Sequence, residues 1–210
     1  NAHEFLPDWQ CRFYLNKSVP DKVAKELESL GAELEWQSPP RSYGYIGLFW
    51  RYKVAYDDVD VERFIIRDCD SRVTARDAAC VRAWEDSGEP AHIIRDCESH
   101  GVWMLGATWG LINAHIPNFH ELIQEFWEEQ AMGEGFGYPI EDLGRGAFYG
   151  VDQRFLSNKI WPLIQNCHLA HDERFVFTGR EQPFPVKRAE GEPYVGMVCP
   201  LEERWKDWEY

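Results

Sequence analysis

The sequence predicts an α/β fold in a single domain, with a mixed, mostly parallel sheet flanked by helices. Three observations predict it. Short apolar runs at 11–15 and 32–36 bracket a helical pattern, the βαβ rhythm of a parallel sheet. A further apolar run, Phe64-Ile65-Ile66, ends in the acidic turn Arg67-Asp68-Cys69-Asp70-Ser71-Arg72. Another, His92-Ile93-Ile94-Arg95, follows after one more helical pattern. At 210 residues the chain is long enough for one such core, whereas two full domains would each be small.

Taken in order, Cys11-Arg12-Phe13-Tyr14-Leu15 reads as a strand. Ser18-Val19-Pro20-Asp21 supplies a cap and a proline in the first turn, so a helix starts near Asp21. Val23, Leu27 and Leu30 recur at helical spacing, and Gly31 stops the helix before the strand at 32–36. Pro39-Pro40 and the segment 44–47 form a loop into 48–56, read as one amphipathic helix that Asp57-Asp58-Val59-Asp60 breaks. The strand at 61–66 then delivers the acidic turn at its carboxyl tip, where open α/β sheets place ligands. A helix over 74–86 puts Ala78, Val81 and Trp84 on one face and ends at Ser87-Gly88.

Residues 104–110 read as a small-residue turn, and 119–129 as a helix with Leu122, Ile123 and Phe126 inward. Six glycines between Gly133 and Gly150 mark a candidate lid over a substrate. The last helix, 152–164, offers Phe155, Leu156 and Ile160 to the core. From Glu181 to residue 210 the tail reads as Pro-rich and irregular until Trp205 and Trp208.

The formal net charge of −14 excludes nucleic-acid and anionic-membrane partners, which need a basic stripe to neutralise phosphates. A small anionic ligand held through a metal stays open. Ten tryptophans suit sugar-contacting surfaces as well as core. Without an apolar stretch of membrane-spanning length or a targeting pattern, the chain is expected to have no integral membrane segment and to be cytoplasmic. Its six scattered cysteines, with no CxxC pair, are expected to be reduced thiols. A first residue other than Met leads us to expect a processed or excised chain.

Asp68 and Asp70, one residue apart at a strand tip, crowd two carboxylates into a small space. A hard cation relieves that crowding: Mg²⁺ or Mn²⁺ takes oxygen ligands and keeps positions open for substrate phosphates. Alone, Asp-x-Asp is a weak motif whose bland counterpart is a solvated turn. Arg67 and Arg72 flank it, and neutralisation by either is the strongest structural alternative to a metal.

The stretch Gly47-Leu48-Phe49-Trp50-Arg51, with Val59-Asp60-Val61-Glu62-Arg63-Phe64-Ile65-Ile66 and the acidic turn, resembles the donor-binding core of GT-A (Rossmann-like) DxD glycosyltransferases. Gly150-Val151-Asp152-Gln153-Arg154-Phe155-Leu156 looks like the Asp-Gln helix start of retaining members. His168-Leu169-Ala170-His171-Asp172 stands where such enzymes often carry a His metal ligand. The similarity spans roughly residues 8–175 and extends to the capsule- and capsid-decorating glycosyltransferases of bacteria and large algal viruses.

This resemblance implies transfer of a sugar from a nucleoside diphosphate sugar, UDP-linked, to a glycan or glycoprotein acceptor in a bacterial or host cytosol. It implies Mn²⁺ or Mg²⁺ held by Asp68, Asp70 and His171, with His168 the nearest rival to His171. Arg51, Asp68, Asp70, Arg72 and Trp109 would bind the donor, Arg51 by its fixed fork of donors and Trp109 by its ring face. Asp152, Gln153 and Asp96 would serve catalysis, although Asp152 also suits a helix N-cap. Two departures stand out. The strand that holds the nucleotide base in the family lies upstream of where this chain begins, and Arg154 replaces a second acid, so no nucleophile is carried over there.

Ile93-Ile94-Arg95-Asp96-Cys97-Glu98-Ser99 nearly repeats residues 65–71 and is expected to be the next strand's tip. Two other function classes compete. An apolar strand before Asp-x-Asp also opens phosphohydrolases of the haloacid dehalogenase type, but Arg72 stands where they want Thr or Val. A non-catalytic carbohydrate-binding module would keep the tryptophans and the fold without the chemistry.

Overall fold

The structure, a computed structural model, describes residues 2–38, 47–57, 60–131 and 150–199. In chain order its elements begin α1 (Ala2–Phe5), β1 (Arg12–Leu15), α2 (Asp21–Ser29), β2 (Glu33–Trp36), α3 (Gly47–Trp50), α4 (Val54–Asp57) and β3 (Arg63–Ile66). They continue with α5 (Ala75–Ser87), β4 (Ala91–Arg95), β5 (Trp109–Ile112), α6 (Phe119–Ala131), α7 (Val151–Phe155), α8 (Trp161–Ile164), β6 (His168–Asp172) and β7 (Glu181–Gln182). A π turn, Leu156–Ile160, joins α7 to α8. Pro162 follows it and has no N–H to give the carbonyl four residues back. The chain divides into two compact units: Asn1–Pro7, Ile65–Ile112 and Trp161–Tyr210 form one, Asp8–Phe64 and Asn113–Ile160 the other.

The main sheet, of order β3-β5-β4-β6-β7, belongs to the first unit except for Arg63 and Phe64 of β3. β4 pairs parallel with β6, and β6 with β7, while β5 runs antiparallel to β4. The Asn113 amide donates to the Glu62 carbonyl, and Arg67 donates to the Trp109 carbonyl. The start of β3 therefore lies by the end of β5 and its end by the start of β5. Hence β3, β4, β6 and β7 share one direction, and β5 is the reversed strand of a mixed α/β sheet. β4 is buried at every position, as expected for a central strand covered on both faces.

α5 covers one face with Ala78, Val81 and Trp84 buried, the stripe the sequence predicts. Thr74 caps the helix by accepting from the Asp77 amide, and Gly88, at φ 69°, ends it in a left-handed turn. The tail reading needs amending: beyond β7 the backbone is irregular, yet Phe184 and Val195 pack with Cys80 and Ile94 in the core. Residues 104–110 differ too, because Trp109 and Gly110 open β5 and are not part of a turn.

In the second unit β1 and β2 pair in parallel through the α2 crossover, in register Arg12↔Glu33 to Leu15↔Trp36. The expected helix over 48–56 is instead two single turns, α3 and α4. Buried Phe49, Tyr52 and Ala55 fall on one helical stripe but Val54 falls opposite, so one straight helix cannot bury all four. Phe49, Tyr52, Phe119, Phe126 and Phe155 form an aromatic core, with Phe155 5.3 to 5.8 Å from each of the other four rings. The candidate lid at 133–150 lies outside the described residues except for Gly150.

Candidate functional site

The acidic turn forms where β3 leaves the sheet. Phe64 and Ile66 are buried on alternate positions, and the chain then turns as the Ser71 amide and hydroxyl donate to the Asp68 carbonyl at 3.1 and 2.9 Å. The C-terminal tail clasps this turn: the Cys199 amide donates to the Asp70 carbonyl at 2.8 Å, and Ser71 bridges Val198. Asp68 and Asp70 are half-buried, while Cys69 and Arg72 are exposed. Arg67 faces away from the task of neutralising them. Its Nε and Nη2 donate to the two Asp77 oxygens at 2.9 and 2.7 Å, and its Nη1 donates to the Ile66 and Trp109 carbonyls.

Two half-buried carboxylates fit the protein's share of an oxygen-ligated, largely hydrated Mg²⁺ or Mn²⁺. His171 does not complete that set, because no group of three or more His, Cys, Asp or Glu residues suited to a metal ion occurs among the described residues. The reason is position. His171 lies within β6 opposite Ile94, 2% exposed, on the face that α5 covers. Its Nδ1 shares a 3.0 Å hydrogen bond with Nε2 of His92, whose ring stacks on Trp84. Burial, with Arg76 nearby, lowers its pKa from 6.5 to about 4, and burial holds His92 well below its usual range. His168 is likewise buried, its Nδ1–H donating to the Ile164 carbonyl.

Asp96, at the tip of β4, is fully engaged. Arg76 donates to both of its oxygens at 3.0 and 2.8 Å, and the Val195 amide donates to Oδ2 at 3.0 Å. That makes Asp96 an anchor for helix and tail. Trp109 has no exposed ring face, since β5 buries it completely. The near-repeat is indeed the next strand's tip, with Arg95 wholly buried and donating to Asp172 Oδ2 at 3.1 Å across the Arg95↔Asp172 register of β4 and β6.

The remaining predicted residues belong to the second unit. Arg51 lies in the turn between α3 and α4, half-buried. Asp152 is buried in the first turn of α7, where a carboxylate suits the positive end of a helix. It is not the cap: Gly150, at φ 70°, holds that position. Gln153 follows, half-buried.

A cleft of about 290 Å³ at the tips of β4 and β6 was not legible in the sequence. Its basic lining residues are Arg76, Arg95, Arg174, Lys187 and Arg188; Asp96 and Glu173 are its acids. These residues come from a helix, two strand ends and the tail, so no local motif announces them. Compared with protein-family models, with curated proteins and with solved structures, the chain matches none.

Proposed function

We propose that this chain is a metal-dependent glycosyltransferase that moves a sugar from a UDP-linked donor to a hydroxyl of a glycan or glycoprotein. One observation carries the reading: Asp68 and Asp70 stand together in a clasped turn beyond β3, with Arg67 committed to Asp77 and not to them. Two neighbouring carboxylates at a sheet's carboxyl end supply oxygen ligands of the kind a hard cation takes. Asp68 and Asp70 would hold Mg²⁺ or Mn²⁺, and the chemistry such a cation supplies is neutralisation of charge on a departing diphosphate. Arg72, exposed beside the turn, offers a guanidinium fork to donor oxygens.

Retention of anomeric configuration enters on the resemblance of the Asp152-Gln153 helix start to that of retaining glycosyltransferases. Asp96 enters this reading as a positioning residue that ties the tail to the tip of β4. Six free cysteines support a reducing cytosolic setting, and among the described residues no helix is long and apolar enough to cross a membrane.

The test is Asp70→Ala. Asp70 anchors the tail through its backbone carbonyl, a bond that the substitution leaves in place. Manganese-dependent transfer or hydrolysis of a UDP-sugar is expected to fall at least about a hundredfold, the scale of losing a transition-state electrostatic contact. Unchanged turnover would remove the site, and inversion in the product's NMR spectrum would remove the stereochemical assignment.

A further inference from the structure

The cleft at the tips of β4 and β6 runs against the charge of the chain. Net charge is −14, yet its lining carries five cations against two carboxylates. The two inner arginines are fixed. Arg76 is gripped by Asp96, donates to the Val186 carbonyl and lies 3.6 Å above the Phe184 ring. Arg95 is gripped by Asp172 and the carbonyls of Val102 and Trp103. Those ion pairs balance the inner arginines and hold the wall rigid.

The excess charge lies at the rim. Lys187 and Arg188 are exposed and have no carboxylate partner among the described residues; Arg188 reaches only the Asp96 carbonyl, at 3.5 Å. Arg174 meets only the exposed Glu98, at 3.2 Å. Three rim cations thus gather, with Glu173 as the rim acid in the lining, at a recess whose inner arginines are already paired, an arrangement that concentrates anions. Volume narrows the class. About 290 Å³ lies at the lower end of small-molecule pockets, roughly 300–1,000 Å³, which suits a monosaccharide-sized anion better than a nucleotide sugar.

We propose that this cleft is a binding site for a phosphate monoester, formed by Arg174, Lys187 and Arg188 and distinct from the acidic turn. Phosphate accepts several charge-assisted hydrogen bonds at once, and arginine forks match its oxygens. Assigning the group to the acceptor, as a phosphorylated glycan, rests on the glycosyltransferase reading; the binding itself does not.

The experiment is calorimetric titration of the full chain, without divalent metal, with a hexose 6-phosphate, with inorganic phosphate and with the free hexose. Saturable binding of the phosphates but not of the free hexose is expected, weakening as salt rises. Tighter binding of the ester than of inorganic phosphate supports the monoester, and equal affinity for both would overturn it in favour of free phosphate. Lys187→Ala/Arg188→Ala, both on the exposed rim, should weaken binding roughly tenfold or more with an unchanged melting temperature. Asp70→Ala should leave it intact, so phosphate binding without sugar transfer would sink the catalytic reading alone. Absence of phosphate binding, indifference to the double substitution, or displacement of bound phosphate by UDP with manganese would each overturn the cleft's assignment.

Discussion

Arg67 and Arg95 hold matching places in two nearly identical stretches, yet each finds a different acid. Arg67 turns to Asp77 on the next helix, ten residues on, while Arg95 reaches Asp172 on the neighbouring strand, 77 residues away. The Arg95 pair is the more demanding, since both side chains are fully buried. Two charges removed from water are tolerable only together, and removing one strands the other at a cost of roughly 3–5 kcal/mol. Asp172→Ala should therefore lower the unfolding free energy by about that amount in urea titration. Its loss also frees the Arg174 and Phe175 amides, which Asp172 Oδ1 accepts. Replacing both charges, Arg95→Met with Asp172→Leu, should recover part of the loss; a double variant no more stable than the single one would contradict this account. At this scale the Asp68-x-Asp70 pair was readable because both acids lie in one short motif. The partners of the two arginines were not, because chain separation hides which carboxylate the fold brings to each.

The elements that cover the carboxyl end of the sheet depend on the tail, and the tail depends on one close approach. At Gly196 the backbone has φ 83°, and a Cβ there would lie 2.8 Å from Thr108 Cγ2 at the foot of β5. Gly196→Ala thus adds left-handed strain and a clash against a side chain fixed by its bond to the Ile94 carbonyl. The expected cost is roughly 1–3 kcal/mol, concentrated on the tail. Val195 and Cys199 should report it, because their amides bond to Asp96 and to the acidic turn. Hydrogen exchange at those two amides should quicken by at least about tenfold while β4 stays protected. Uniform quickening across the sheet would instead mean that the tail is no separate clasp. Periodicity revealed α5 and α6, whose buried faces repeat over three turns, and the β1-α2-β2 crossover with its stop at Gly31, although Pro20 and not Ser18 takes the N-cap of α2 and gives it no side-chain bond. It missed β5, since Trp109-Gly110-Leu111-Ile112 has four residues, an internal glycine and no alternation. Its strand character comes from pairing with β4, a long-range property.

For the whole molecule, the fold buries histidines that must stay neutral. Desolvation by burial lowers the pKa of His92, His100, His168 and His171, His92 and His171 being joined by one hydrogen bond within the sheet. Around His92 and His171 stand Trp84 and Phe184, with Arg67 and Arg76 as the nearby charges; both arginines oppose protonation. A depressed folded-state pKa gives stability that is complete above the unfolded value, 6.5, and is lost as pH falls toward the folded value. In that window the unfolded chain binds protons the native chain refuses. For His171, held at about 4, the loss is about 3 kcal/mol once pH drops below 4. The melting temperature should therefore fall steadily from pH 7 to pH 4, and the upper part of that fall, above about pH 5, precedes the titration of ordinary carboxylates. Replacing the pair, His92→Gln with His171→Gln, should flatten that slope even if it lowers stability at pH 7, because the substituted side chains take up no proton. A double variant with the parent's slope between pH 6.5 and 4.5 would show that the acid sensitivity arises elsewhere, in the ion pairs that fasten the carboxyl end of the sheet.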